Sequence, residues 1–284
     1  MLNRVAVLHH PQSEGAAAFA TELAREFARR KVEATVCNVW ADEASETLIG
    51  ADLVVCIGGD GTVLRAARIS IPHVIPLLGI NMGRLGFLTD MSPRDCFNQF
   101  ERILDCDWRI EERVMVRADL RDEADGISRA LHGLNDIVIS RKAPGRPIYV
   151  DLFIDRTRLA RYRCDGMIVA TPTGSTGYSL SAGGPILSPT EEHLVVTPVS
   201  AHLALGRSIV LPADAEVELR VTSDHGAILS VDGQEDIPVS NSASVMVRLS
   251  EYRTRFVRFR EPSSFYGDLA EKLDLQLSSA TSRA

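Results

Sequence analysis

The sequence contains few cysteines, and none stands in a metal-binding pattern. The five cysteines, at positions 37, 56, 96, 106 and 164, form no Cys-x-x-Cys pair and have no histidine at the spacing of zinc ligands. This argues against a structural zinc site and against a disulfide framework. We therefore expect a protein of a reducing compartment.

The sequence also lacks a basic surplus and a long apolar run. It carries 31 Lys and Arg against 38 Asp and Glu, a formal charge of −7, whereas proteins that bind nucleic acid or anionic lipid usually carry a basic patch. No charge-free apolar window reaches the roughly 18 residues of a membrane span, and the run at residues 5–8 is too short for a signal-peptide core. We expect a cytoplasmic protein whose partners are small molecules, with neither nucleic acid nor membrane among them.

The hydrophobic pattern divides the chain in two. Over residues 1–108, short apolar strands alternate with helical periodicity, which predicts an α/β domain with a parallel sheet. Residues 109–262 carry many short alternating runs, which predict an all-β domain. The helical period returns over residues 263–284, with Phe265 and Leu269 on one face, and we expect this C-terminal helix to pack back on the first domain.

The most informative segment, Gly58-Gly59-Asp60-Gly61-Thr62, lies where an apolar strand ends and a helix begins. Glycines let backbone N–H groups approach an anion, and a helix N-terminus favours phosphate. The spacing matches neither the P-loop nor the dinucleotide fingerprint. A tight turn in which Asp60 or Thr62 caps the helix is an equally simple interpretation. However, a carboxylate beside a polyphosphate is repelled unless it meets Mg²⁺ or accepts the proton of an attacking hydroxyl.

A second glycine cluster, at residues 79–87, follows the fourth apolar run. Two loops at the same edge of a parallel sheet can face one ligand, because open α/β sheets bind ligands there. Phe87, the last residue of this cluster, is either a core residue or a platform on which a base or nicotinamide stacks.

Two further motifs follow in the second half of the chain. Asn135 and Asp136 precede an apolar strand, where they form either a simple turn or a clamp for the vicinal hydroxyls of a ribose. In residues 165–185 an apolar strand leads into a dense run of hydroxyls and glycines. Such a run offers many hydrogen-bonding groups and suits a ligand with sugars, a base and phosphates, although a flexible surface loop is the alternative.

Taken in order, these motifs resemble the NAD kinase family over nearly the whole chain. The resemblance rests on the Gly58 loop, residues 79–87, Asn135-Asp136, residues 165–185 and Asp232-Gly233-Gln234. Gly-Gly-Asp-Gly-Thr alone is shared with diacylglycerol and sphingosine kinases and, more loosely, with phosphofructokinases. The Thr-Pro-Thr-Gly-Ser-Thr block is what resembles an NAD site.

The resemblance implies a phosphotransferase that uses ATP and Mg²⁺ to phosphorylate the adenosine 2′-hydroxyl of NAD, giving NADP. The first domain is then the ATP side and the second the NAD side, Mg²⁺ arrives with ATP rather than in a protein-only site, and the enzyme is a homodimer or homotetramer. Asp60 matches the base that deprotonates the hydroxyl. The phosphate-binding residues implied are Gly58, Gly59, Gly61 and Thr62, and the NAD-binding residues, some reached from a neighbouring subunit, are Asp60, Gly61, Phe87, Asn135, Asp136, Asp165, Thr176, Gly177, Tyr178, Ser181 and Gln234.

The sequence departs from many relatives at Gly177, where they have alanine, and at Asp136, where they have glutamate. The shorter carboxylate affects the reach toward adenosine. Two rival functions stay open at this point. A lipid kinase with the same glycine loop predicts an apolar acceptor cavity and a means of meeting a membrane. A non-catalytic sensor of NADP predicts that Asp60 is dispensable.

Overall fold

The computed structural model describes residues 2–71, 73–83, 86–122, 126–201, 206–241 and 243–271. The chain divides into two compact units, the first formed by Met1–Glu111 with Arg255–Ala284 and the second by Glu112–Thr254. Both boundaries fall inside long strands. The first unit is α/β and the second is built almost entirely of strands, which confirms the predicted fold class.

The first unit is a parallel sheet with helices. Its strands run in the order β2-β1-β3-β4, and the end of a late strand, β16, pairs with β4 through Phe256 and Leu77. The elements are β1 (Arg4–His9), α1 (Ala16–Arg29), β2 (Glu33–Asn38), a 3-10 helix (Asp42–Leu48), β3 (Leu53–Ile57), α2 (Asp60–Ser70), β4 (Leu77–Ile80), α3 (Pro93–Asn98), α4 (Phe100–Leu104) and, at its end, β16 (Ser244–Arg258).

Apolar periodicity explains these elements. Strand β3 is buried at all five positions, as expected for a parallel strand covered on both faces. Helix α1 buries Phe19, Leu23 and Phe27, four residues apart, and this stripe faces the sheet. The Phe19 ring contacts Phe97, and the Phe27 ring contacts Phe100, with centroids 5.5 and 4.9 Å apart.

The strand order creates a switch point between β1 and β3. From β1 the chain crosses to β2 on one side and then returns to β3 on the other. The loops that leave the carboxyl ends of β1 and β3 therefore diverge and leave a crevice, which is where open α/β sheets bind ligands. The backbone N–H of His10 donates to the Ile57 carbonyl at 3.0 Å, so these two strand ends are aligned.

The second unit contains two sets of antiparallel strands. One sheet has the order β12-β11-β10-β7-β14-β15, and the other strands pair as β16-β13-β8-β9, with β5 pairing β16 and β6. Its remaining elements are β5 (Arg109–Asp122), β6 (Ile127–Gly133), β7 (Asp136–Arg141), β8 (Ile148–Ile154), β9 (Thr157–Cys164), β10 (Gly166–Ala170), a 3-10 helix (Gly174–Thr176), α5 (Tyr178–Ser181), β11 (Leu194–Val199), β12 (Ile209–Leu211), β13 (Val217–Thr222), β14 (Ala227–Val231) and β15 (Glu235–Val239).

One apolar core joins the inner faces of these strands. Ile139, Met167 and Leu229 of the six-stranded sheet pack in the same cluster as Val150 and Val217 of the other set. Alternating buried and exposed positions, as along β13, place one face of each strand in this core. The core thereby fixes the ends of β7, β10 and β14, from which the polar turns of the second unit extend.

The C-terminal helix is present and packs on the first unit. Residues 264–271 are helical, the Phe265 ring lies 6.1 Å from that of Phe87, and Arg260 pairs with Asp268 at 2.6 Å. The later part of the predicted terminal segment, residues 272–284, lies outside the described residues. In the described ranges, no helix has the length and apolarity needed to cross a bilayer.

Candidate active site

The glycine loop of the first unit is shaped by one of its glycines and left open at two others. Gly58 has φ of 154° and a side chain there would collide with Thr62, so the backbone turns tightly at this point. Gly59 and Gly61 are exposed, and a Cβ at either would meet no described atom within 4 Å. The described part of the chain would therefore accommodate a larger side chain at these two positions. They keep the start of α2 open to an incoming group.

Thr62 is placed differently from the other residues of the loop. It is 2% exposed and lies beneath Gly58. In this structure it supports the loop from below, and its predicted contact with phosphate stays a prediction.

Asp60 joins the two glycine loops. It is the first residue of α2, and its carboxylate accepts backbone N–H groups from Phe87 at 2.9 Å and Leu88 at 3.1 Å. A Cβ on Gly86 would overlap the Asp60 carboxylate, so glycine there permits the contact. The helix-cap interpretation of the loop is wrong, because Gly59 is the N-cap residue and no side chain caps the helix. The Asp60 carboxylate is instead held in place across the loops, half-buried at the carboxyl end of β3.

Phe87 has the packing role that the sequence left open, and its stacking role stays a prediction. Its ring is half-buried and contacts Phe265 of the C-terminal helix, while its backbone N–H binds Asp60. The ring therefore has a packing role, and part of its surface stays accessible to a ligand.

A buried ion cluster beneath this segment was not predicted. Arg258, at the end of β16, is 6% exposed and donates to the Leu88 carbonyl at 3.1 Å and to Glu111 at 3.1 Å. Asp90 lies 3.6 Å from the same guanidinium, and burial raises the pKa of Asp90 while Arg258 lowers it, with burial the larger effect. Because Leu88 also donates to Asp60, Arg258 helps to fix the backbone that orients the Asp60 carboxylate.

In the second unit, Asp232 organises the turn that precedes β7. Its carboxylate accepts three backbone N–H groups, from Leu134 at 2.9 Å, Asn135 at 2.8 Å and Asp136 at 3.1 Å. Asp232 and Gly233 have φ of 52° and 64° between β14 and β15, which is the Asp-Gly turn that favours hairpins. The Asp-Gly pair is a local signal for a hairpin, but no local pattern indicates that its carboxylate holds a turn far away in the chain.

Asp136 is buried beside this carboxylate. It is 5% exposed, and burial, with a smaller contribution from the charge of Asp232, raises the pKa of Asp136 to about 7. Both residues line a cavity of about 520 Å³ in the second unit. The rest of its wall is formed by Asn135, Val138, Ser140, Tyr178, Ser230, Gly233 and Asp236.

Two buried polar atoms near this turn lack protein partners. Neither the Asn135 Oδ1 atom nor the Thr173 Oγ1 atom has a hydrogen-bond partner in the described part of the chain. Buried polar atoms are nearly always paired with protein, water or ligand. These two atoms are therefore candidates to bind a polar ligand.

The hydroxyl-rich run after β10 is folded on itself. A Cβ on Gly174 would overlap the Asn135 carbonyl, so this glycine permits close packing of the run against the turn. Four of its hydroxyls form hydrogen bonds with the chain itself, and contact of this run with a ligand stays a prediction. The bonds are Thr171 Oγ1 to the Leu134 carbonyl (2.6 Å), Ser175 Oγ to the Pro172 carbonyl (2.6 Å), Thr176 Oγ1 to the Thr173 carbonyl (3.2 Å) and Ser179 Oγ with Thr197 Oγ1 (3.1 Å).

The predicted NAD contacts of the second unit fall into two groups. Asn135, Asp136 and Tyr178 share the cavity wall, and the Tyr178 ring is 48% exposed. Other residues do not line it: Gly177 lies behind Asn135, Thr176 binds within its own run, Ser181 is exposed on α5, and Gln234 ends the Asp232 hairpin turn. Asp165 pairs with Arg141 at 2.8 Å, at the opposite end of β10 from the run.

No group of three or more His, Cys, Asp or Glu side chains is placed to hold a metal ion within the described ranges. All five cysteines are free thiols. Burial raises the pKa of Cys96 and Cys164 to about 12, so these two thiols stay protonated.

Two family models match the chain. Residues 40–108 match the ATP-NAD kinase N-terminal domain, and residues 134–259 match the ATP-NAD kinase C-terminal domain. A curated relative, an NAD kinase of Dehalococcoides mccartyi, is 36% identical over 274 residues, which is 96% of each chain.

Two solved structures share the fold over nearly the whole chain. The yeast NADH kinase complexed with NADH has a TM-score of 0.85 at 26% identity and covers 96% of this chain and 88% of its own. An NAD kinase from Archaeoglobus fulgidus in complex with ATP has a TM-score of 0.76 at 27% identity, covering 93% of this chain and 97% of its own.

Proposed function

The chain belongs to the NAD kinase family, and on that premise we propose that it transfers the γ-phosphoryl group of ATP to the adenosine 2′-hydroxyl of NAD. One observation carries the proposal: the Asp60 carboxylate, held by two backbone N–H groups, stands at the open glycine loop at the carboxyl end of β3. A negative charge at a phosphate-binding loop is unfavourable unless the reaction uses it.

The donor side of the reaction follows from the open backbone. We propose that the phosphates of ATP approach the N–H groups of residues 58–61, where Gly59 and Gly61 leave room and the start of α2 favours negative charge. The 2′-oxygen attacks the γ-phosphorus, the bond to the β-phosphate oxygen breaks, and ADP leaves. Asp60 accepts the hydroxyl proton. Its two N–H bonds orient the carboxylate and leave lone pairs on both oxygens for that proton.

The residues present fit a divalent cation that arrives with ATP. The glycine loop carries one carboxylate, Asp60, and Mg²⁺ is usually bound through one or two carboxylates together with substrate phosphates and waters. When bound, Mg²⁺ neutralises charge on the phosphates.

The acceptor side rests on the turn of the second unit. We propose that Asn135 and Asp136 hold the adenosine part of NAD, supported by the unpartnered Asn135 Oδ1 atom and by their shared place on the cavity wall. Tyr178 supplies an exposed ring for stacking. Phe87, Gly61, Thr176, Gly177, Ser181 and Gln234 stay predicted contacts of the same substrate.

The surroundings of Asp165 bear on assembly. Its place at the far end of β10, about 20 Å along the strand at about 3.3 Å per residue, supports the proposal that it serves the site of a neighbouring subunit in a homodimer or homotetramer. The free thiols support a cytoplasmic location. We propose that the first unit is the ATP side and the second unit the NAD side; the domain bounds predicted from the sequence, 1–108 with 263–284 and 109–262, differ from these units by at most eight residues.

The test is NADP formation from NAD, ATP and Mg²⁺ by the purified chain, detected with an NADP-specific dehydrogenase. We expect NADP to accumulate in proportion to the enzyme and to depend on all three additions. Absence of product from a folded protein that still binds NAD or NADP would contradict the kinase and favour a sensor.

A further inference from the structure

Two aromatic rings stand at the carboxyl ends of β1 and β2. The rings of His10 and Trp40 meet edge to face, with centroids 4.7 Å apart and planes at 70°. Trp40 is 40% exposed, and neither ring belongs to the apolar core cluster that α1 forms with the sheet. Trp40 is therefore accessible to a ligand. The position of the two rings in the sheet indicates which ligand they can reach.

The pair lies beside the phosphate loop along the sheet edge. His9 is in register with Asn38 of β2 on one side and with Ile57 of β3 on the other. Adjacent strands are about 4.8 Å apart, so the end of β2, which leads to Trp40, lies about 10 Å from the end of β3. The loop after β1 also flanks the switch point, where the sheet geometry favours a ligand. A nucleotide whose phosphates occupy the Gly58 loop can reach the rings with its base.

Local hydrogen bonds hold both residues in place. The Gln12 N–H donates to His10 Nδ1 at 3.0 Å, and the Trp40 N–H donates to Asn38 Oδ1 at 3.0 Å. Because Nδ1 of His10 is an acceptor, the ring proton of the neutral form lies on Nε2, where it can be donated to a base. Residues already fixed in the free protein lose little entropy when a ligand binds.

We propose that His10 and Trp40 form the subsite for the purine base of the phosphoryl donor. This inference rests on the proposed function for the phosphates, and it adds a contact that distinguishes a nucleoside triphosphate from a bare polyphosphate. Trp40 supplies the surface on which the base stacks, and His10 donates a hydrogen bond from Nε2 to the edge of the base. Base–aromatic stacking of ordinary strength corresponds to about 5- to 150-fold in affinity.

The first experiment measures binding without turnover. The chain has two tryptophans, and the second, Trp108, packs on Phe259 with centroids 6.5 Å apart. In a Trp108→Phe variant, all tryptophan emission comes from Trp40. We expect ATP to quench this emission saturably in the absence of NAD, and tripolyphosphate to leave it nearly unchanged. Equal quenching by both ligands would overturn the proposal, because it would report only the phosphates.

The second experiment measures steady-state kinetics. Trp40→Ala is expected to raise the KM for ATP about 5- to 150-fold while the KM for NAD stays the same, and Trp40→Phe is expected to restore most of the loss. An unchanged KM for ATP in Trp40→Ala would overturn the proposal. If Trp40→Ala does not fold, His10→Ala replaces it with the same expected pattern. Failure of the proposed kinase function can be distinguished from failure of the base subsite. In the first case no variant would make NADP, while the quenching titration would still report on binding of the base.

Discussion

Residues 58–61 after β3 and residues 171–184 after β10 are both rich in small residues, yet two glycines of the first have surroundings opposite to those of two glycines of the second. Gly59 and Gly61 of the first loop have no described atom within 4 Å of a Cβ position, whereas a Cβ on Gly174 or Gly184 of the second would overlap neighbouring atoms of the chain. Four hydroxyls of the second run, those of Thr171, Ser175, Thr176 and Ser179, also bind other groups of the chain.

This difference shows that a run of small residues can have either of two structural causes. At Gly59 and Gly61 the empty space is open to a ligand, whereas the close contacts at Gly174 and Gly184 serve internal packing. The second run therefore packs against the turn at Asn135, and we propose Asn135, Asp136 and Tyr178 as substrate contacts of the second unit. Substitutions in both units test this separation.

Gly86→Ala should damage the first site most. The new methyl group would occupy the place of the Asp60 carboxylate, which would move away from its two N–H donors. We expect the turnover number to fall by about 10²- to 10⁴-fold, the usual contribution of a positioned base. Gly83→Ala is the matched control, because its Cβ would lie 3.8 Å from Asn81 Oδ1 and no described atom would be closer. Equal losses in both variants would show general sensitivity of the loop rather than displacement of Asp60.

Gly174→Ala and Gly59→Ala should separate stability from activity. At residue 174 the methyl group would press on the Asn135 backbone, so we expect the free energy of unfolding to fall by about 1–3 kcal/mol or more. At residue 59 there is space, so stability should change by less than about 0.5 kcal/mol while the KM for ATP rises. Urea unfolding and ATP kinetics on both variants check this. If Gly59→Ala is less stable than Gly174→Ala, the claimed difference between the two loops is wrong.

Asp136→Asn should change how stability depends on pH. Burial raises the pKa of Asp136 from its ordinary 3.8 to about 7, so the folded protein binds this proton more tightly than the unfolded chain. The contribution of Asp136 to the free energy of unfolding is therefore fully present below about pH 4. It declines as the pH rises toward 7, by at most about 1.4 kcal/mol per pH unit. The Asn variant lacks this decline.

The pH series needs a control on the same cavity wall. Asp236 lines the cavity but is exposed, so Asp236→Asn should leave the wild-type profile intact. Urea unfolding between pH 5 and pH 8 measures all three proteins. Parallel profiles for the wild type and Asp136→Asn would mean that Asp136 is ionised throughout this range.

Local patterns predicted much of this fold. The apolar run before Gly58, the spacing of Phe19, Leu23 and Phe27 on α1, and the return of helical period after residue 263 each have a counterpart in the structure. Such patterns depend only on residues within a few positions of one another. They can therefore be recognised in a single sequence.

Contacts between distant segments could not be predicted in the same way. Asp232 binds the Leu134 N–H across 98 positions, and Arg258 binds the Leu88 carbonyl across 170. These pairings depend on how strands associate, and no local spacing encodes them. For the same reason the sequence suggested a ligand-facing role for hydroxyls that the fold uses internally, and the resemblance could name the NAD contacts without placing them.

The role of Asp60 as the base is the central claim, and Asp60→Asn tests it most directly. Single-turnover formation of NADP with saturating NAD and ATP should slow by about 10²- to 10⁴-fold, while NAD affinity by calorimetry and the urea midpoint stay close to those of the wild type. Strong loss of NAD binding with unchanged turnover of bound substrate, or turnover at the wild-type rate, would contradict the account.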